Sequence, residues 1–180
     1  MNFEETISPL TQFLVDSAFS VKNQSLHFIE YSSKSVIITV AYNNLEHLFY
    51  THIGLDSKHL LELTPLGIKE VFKDDSFKFQ STLTIDNLIR FLNGSGIKIL
   101  SGDKRIFQDL SEFSERQSIE YTKQIVQMQN IHWADRAWLK NDYLTFIQFL
   151  DKTDKLQLPQ SYLKKYKIAE DRLQRKQNSS

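Results

Sequence analysis

The 180-residue chain carries 22 Lys and Arg against 22 Asp and Glu, so its formal net charge is zero, and it has no cysteine. With 41% hydrophobic and 12% aromatic residues, it has the composition of a folded domain and is too aromatic for a disordered one. The missing thiols exclude disulfides, thiolate metal centres and a cysteine nucleophile, and the balanced charge disfavours a dedicated nucleic-acid binder.

Phe3, Ile7, Leu10, Leu14 and Ala18 recur at three- and four-residue spacings, which predicts one face of an amphipathic helix, with Ser8-Pro9 as an internal restart. The pattern then changes to strands over Ser25 to Tyr31, Lys34 to Tyr42 and Leu45 to Gly54. The Val36 strand is apolar on both faces and is expected at the centre of the sheet. The Leu45 strand mixes His, Thr and Tyr with apolar residues and is expected to be half exposed. Asn43-Asn44 is expected to form a two-residue hairpin turn, since Asn tolerates positive φ. Thr64 as N-cap and Pro65 open a short helix that Gly67 weakens and Lys73-Asp74-Asp75 ends. A short extended piece is expected over Phe77 to Phe79. Thr84 opens a second helix with Leu88, Ile89 and Leu92 inward, and Asn93-Gly94-Ser95-Gly96 stops it.

Beyond Gly102 the sequence is almost entirely helical. Ile106, Leu110 and Phe113 mark one stripe, and Ile125, Val126 and Met128 follow. Pro159 starts a last helix carrying Tyr162, Leu163, Tyr166, Ala169 and Leu173. The expected class is α+β: an N-terminal helix, a three-stranded antiparallel meander and two short helices, followed by a C-terminal all-α hairpin region. The expected division is an α+β domain over 1–100, a helical region over 101–176 and a frayed tail over 177–180, with fraying from about Gln174.

The run Ala134-x-x-Ala137-Trp138-x-x-x-Asp142-Tyr143, followed by Phe146-Ile147, Leu150 and Pro159, resembles a tetratricopeptide-type helix pair. Small residues let two helices approach, an aromatic fills the gap, and Asn141-Asp142 turns the chain. Such repeats run about 34 residues and need about three copies for a stable array. A single copy is therefore expected to pack as a hairpin, with Trp138 and Tyr143 in its core. The layout as a whole is similar to small bacterial proteins of uncharacterised families that look like the immunity proteins accompanying contact-delivered toxins. That resemblance implies a cytoplasmic inhibitor that binds a protein partner, a cognate toxin, and it supplies no catalytic residue.

The search for chemistry returns few constellations. No Gly-x-Ser-x-Gly, His-Glu-x-x-His or phosphate-cradling glycine motif is present. Asn93-Gly94-Ser95-Gly96 follows a helix rather than a strand, so it reads as a helix stop. Ser101 to Arg105 reads as an N-cap at Asp103. The acidic pairs Glu4-Glu5, Asp74-Asp75 and Glu170-Asp171 are adjacent in sequence and therefore diverge in direction. Among the five histidines, His47 and His52 are expected on opposite faces of one strand, with His59 past a turn. A metal site using His47, His52 or His59 is the alternative reading, a small metal-dependent hydrolase or ligand-binding domain. No catalytic residue, metal ligand set or cofactor is otherwise expected.

Charge is unevenly spread. Residues 1–90 hold 7 Lys and Arg against 11 Asp and Glu, a balance of −4, and residues 91–180 hold 15 against 11, a balance of +4. From Gln160 onward there are 6 basic and 2 acidic residues. These distributions point to recognition by surface, with Glu46, Glu62, Asp74 and Asp75 as an acidic partner-binding set and Lys164, Lys165 and Lys167 as a basic one. No membrane span and no targeting signal is expected, and the cytosol is the expected location.

Overall fold

The computed structural model describes residues 2–77 and 82–178. The chain is α+β and divides into two compact units, Met1–Arg116 and Gln117–Ser180. The compositional change near Gly102 falls inside the first unit.

In the first unit, α1 (Phe3–Asp16) precedes a five-stranded antiparallel sheet in sequential order. Its strands are β1 (Ser20–Ser25), β2 (Phe28–Ser32), β3 (Ile37–Asn43), β4 (Leu48–Gly54) and β5 (Leu61–Glu62). Three strands were expected, and the two additional ones are both edges. All six residues of β1 are exposed, so no apolar alternation announces it; it is held by pairing with β2. β5 is too short to show a period. Ser25 ends β1 rather than opening the next strand.

The expected hairpin turn also differs. Asn43 still pairs with Leu48, so the turn covers four residues, 44–47, and the positive φ falls on His47 at 57°. Asn43 acts through its side chain, accepting from the backbone N–H groups of Leu45 (2.9 Å) and Glu46 (3.3 Å). An Asx-type turn replaces the tight one because this carboxamide satisfies two backbone donors.

The sheet buries one face. Ile29, Tyr31, Ile38, Val40 and Ile53 join Phe3, Ile7, Leu10 and Leu14 of α1 in one apolar cluster. The central placement of the Val36 strand holds, since β3 lies third of five. Each such aliphatic or aromatic side chain contributes about 1.5–3 kcal/mol on full burial. The helix α1 runs unbroken through the exposed Pro9, so no restart occurs there. It closes in a Schellman arrangement: Phe19 donates to Leu14 (2.9 Å) and Ala18 to Val15 (3.0 Å), with Ala18 left-handed at φ 65°. Ala18 is thus the exposed stop of the helix rather than part of its inward face.

Three helices complete the core: α2 (Pro65–Phe72), α3 (Ile85–Asn93) and α4 (Ile97–Leu100). Thr64 and Thr84 cap α2 and α3 by accepting from Gly67 (3.0 Å) and Asn87 (3.3 Å). Gly67 is a point of close approach: a Cβ there would lie 3.3 Å from the Phe113 ring. Phe77 ends a 3-10 turn over Asp75–Phe77 instead of starting an extended piece, and the rest of that expected segment, Lys78 and Phe79, lies outside the described residues. Phe91 takes edge contacts from Phe72 and Phe77.

A single 36-residue helix, α5 (Lys104–Leu139), contributes Phe107, Leu110 and Phe113 to the first unit's buried residues and Ala134 and Ala137 to those of the second. The second unit continues with α6 (Tyr143–Leu150), a 3-10 turn over Lys155–Gln157, and α7 (Gln160–Gln177). The corner between α5 and α6 is a second Schellman closure, with Asp142 donating to Ala137 (3.0 Å) and Asn141 left-handed at φ 59°. Asp142 then caps α6 by accepting from Thr145 (3.1 Å). Trp138 and Tyr143 pack edge to face, with ring centres 5.6 Å apart, beside the buried Phe146 and Leu150. The helix α7 continues past the expected fraying point to Gln177, and Ser179 and Ser180 lie outside the described residues.

Candidate functional site

The sheet face opposite the apolar cluster is built by strand parity. If Ile29, Tyr31, Ile38, Val40 and Ile53 point into the core, then Phe28, Glu30, Ile37, Thr39, Ala41, Tyr50 and His52 point away from it. Register aligns them in rows. Glu30 lies opposite Thr39, Thr39 opposite His52 and His52 opposite Glu62, while Phe28, Ala41 and Tyr50 form the neighbouring row.

Two of the predicted acidic residues border this face, Glu62 opposite His52 and Glu46 beside Tyr50. Glu46, on the turn between β3 and β4, accepts from the Asn43 side-chain amide (2.8 Å) and from the Tyr50 hydroxyl. The Tyr50 phenol is pushed above its ordinary value, first by that bond to Glu46, then by desolvation and by the charges of Glu46 and Glu62. Both carboxylates thus act on one hydroxyl. Among the described residues, neither they nor Glu30 makes an ion pair. Glu46 is held by uncharged donors alone, so its position is set while its charge is left uncompensated.

Asp74 and Asp75 do not join this set. Asp74 accepts from the Ser76 backbone (2.9 Å) and the Ser95 hydroxyl (2.6 Å), and these bonds hold its carboxyl below the usual range. It closes the segment after α2, and Asp75 begins the adjoining 3-10 turn. Asp74 is thus committed to closing this segment, while Asp75 is exposed.

The histidines are dispersed. His47 is in the turn, not on a strand face, with Nδ1 3.0 Å from the Tyr42 hydroxyl. His52 sits in the Glu30–Thr39–His52–Glu62 row. His59 lies on a loop with Nδ1 3.0 Å from Asp56, whose carboxyl is held low by His59 first and by backbone donors next. Asp56, His59 and Ser111 line one shallow cavity of about 270 Å³, but the same Asp56 oxygen also receives the N–H groups of Lys58 and His59, so it works as a loop closure. Among the described residues, no group of three or more His, Asp or Glu is arranged to hold a metal.

The basic set in the second unit also divides. Lys165 lies 3.5 Å from Asp135, and its ammonium stands over the Trp138 and Tyr162 rings. It is committed to holding α7 against α5. Lys164 and Lys167 are exposed and line a groove of about 550 Å³ with Leu158, Leu163 and Tyr166.

No family model, curated protein or solved structure matches this chain. Among the described residues, no helix is long and apolar enough to cross a membrane.

Sequence reasoning missed Glu30 and Tyr50 as members of the acidic face. Their signal was register: Glu30 reaches His52 only through the pairing of three strands, which no local pattern reveals.

Proposed function

We propose that the protein is a non-catalytic interaction module of the immunity or antitoxin type, which inhibits a basic protein partner by binding it through the outer sheet face. The observation that carries this reading is the bond of Glu46 to Tyr50 beside a row that holds Glu30, His52 and Glu62, with no cation paired to any of the three glutamates among the described residues. Uncompensated carboxylates on a rigid, partly aromatic surface complement Lys and Arg on a partner and speed its capture. Tyr50 supplies contact area at low entropic cost, as aromatics do at interfaces.

The test is co-expression with the protein encoded beside it, followed by purification and a growth assay. A stoichiometric complex and protection from that protein's toxicity are expected, and the Glu46→Lys, Glu62→Lys double variant is expected to weaken the complex by about a hundredfold. Circular dichroism checks that the variant remains folded. Absence of both complex and protection, or a complex indifferent to the two reversals, overturns the reading.

A further inference from the structure

Beside the acidic face, the sheet has an unfinished edge. β5 pairs only with His52 and Ile53 of β4, and the Leu63 N–H donates to the Thr51 carbonyl at 2.8 Å. Beyond that point the edge of β4 over 48–50 has no neighbouring strand among the described residues. Because Thr51 turns its carbonyl toward β5, period two turns the N–H and C=O of Phe49 to the same side. The other ladder agrees, since Tyr42, opposite Phe49, directs its N–H to His27 on the β2 side (2.8 Å), away from β4. The Phe49 pair takes no hydrogen-bond partner among the described residues. Glu46, bonded to Tyr50, stands at one end of this open stretch, and Glu62, opposite His52, at the other.

We infer that the partner element bound here is a short extended segment of basic–apolar–basic pattern, added antiparallel to the open edge of β4. This inference rests on the acidic-face reading above and specifies what that face receives. The central residue of the segment lies opposite Phe49 and exchanges both backbone hydrogen bonds with it, as in strand addition generally. Its two neighbours lie opposite Leu48 and Tyr50, so their side chains fall on the outer face, where Glu46 and Glu62 meet a Lys or Arg on each. The central side chain points to the other face, beside the Phe49 ring, which stacks on Phe3 at 6.3 Å, and an apolar residue suits that place. An acidic segment would set like charges against both glutamates.

The probe is a seven-residue peptide with Arg-Val-Arg at its centre, titrated into the full chain while the Phe49 amide is followed by NMR. Its controls are a Glu-Val-Glu peptide and an Arg-Val-Arg peptide whose central Val nitrogen is methylated. The Arg-Val-Arg peptide is expected to shift and protect the Phe49 amide, and the acidic peptide to leave it unmoved. N-methylation is expected to weaken binding about tenfold through one lost backbone bond, and Glu62→Lys to weaken it to a similar degree. If the methylated peptide binds as well as its parent, strand addition is overturned, while a charge-sensitive complex with the neighbouring gene's product would leave the acidic face standing. Failure of every peptide to move Phe49 also overturns strand addition. Binding that ignores Glu62→Lys overturns the basic character of the segment.

Discussion

Ala18 shows how a single residue records a compromise. The Schellman closure of α1 needs a left-handed residue after Ser17, and Ala18 takes φ 65° to provide it. A Cβ in that region costs about 1–2 kcal/mol, while glycine gives back about 0.5–1 kcal/mol through the unfolded chain. Ala18 is exposed, so little packing is lost on shortening it. Ala18→Gly is therefore expected to stabilise the first unit by about 0.5–1 kcal/mol in urea denaturation. A lower unfolding midpoint would mean that the strain is relieved by something other than the backbone. Asn141 occupies the equivalent place after α5 at φ 59°, and Asn is better suited to it.

At the scale of elements, α7 is held by two clamps of the same composition. Tyr162 donates to Asp135 (2.6 Å) beside Lys165, and Tyr166 donates to Asp151 (2.7 Å) while Lys155 stands over its ring and pairs with Asp151 at 2.7 Å. Burial first, and then the bond and charge of Asp135, push the Tyr162 phenol up to about 12 from 10.0. Below pH 10 the hydroxyl is protonated in both folded and unfolded chains, so its stabilisation is fully present. As pH rises from 10 toward 12, the unfolded chain loses this proton first, and the stabilisation drains away. Both tryptophans, Trp133 and Trp138, lie in the second unit, so their fluorescence reports its unfolding. The wild-type chain is expected to lose more stability between about pH 9.5 and 11.5 than the Tyr162→Phe variant. Equal losses would show that the clamp does not titrate as the geometry requires.

For the whole molecule, zero net charge conceals a division by sequence, −4 in the first half and +4 in the second. A partner attracted to the sheet face of the first unit is steered by Glu30, Glu46 and Glu62. Steering acts over roughly a Debye length, about 8 Å at physiological salt, and weakens as salt rises. Association of the proposed partner is therefore expected to slow as salt is raised from about 0.05 to 0.5 M, with dissociation changing far less. The Glu46→Lys, Glu62→Lys variant is expected to lose most of that dependence. Stopped-flow mixing measures both, and an association rate indifferent to salt in the wild-type chain would remove electrostatic steering from the account.

Local chemistry made much of this legible in the sequence. Thr64-Pro65, Thr84 and Asn141-Asp142 stand where they were expected, because caps and corners are set by a few consecutive residues. The inward faces of α1 and of the Val36 strand were equally plain, because burial follows a period. The edge strands β1 and β5 were not, since one is wholly exposed and the other has two residues, and both exist only through pairing with a neighbour. The candidate site divides the same way. Glu46 and Glu62 were identified as acidic surface residues, and the bond of Glu46 to Tyr50 is local, but only the tertiary structure set Glu62 in a row with His52 and Glu30, tied Asp74 to Ser95 and Lys165 to Asp135, and dispersed the histidines. Glu30 and Glu62, 32 positions apart, share a row with His52 because strand register, a long-range property, decides which side chains share a face.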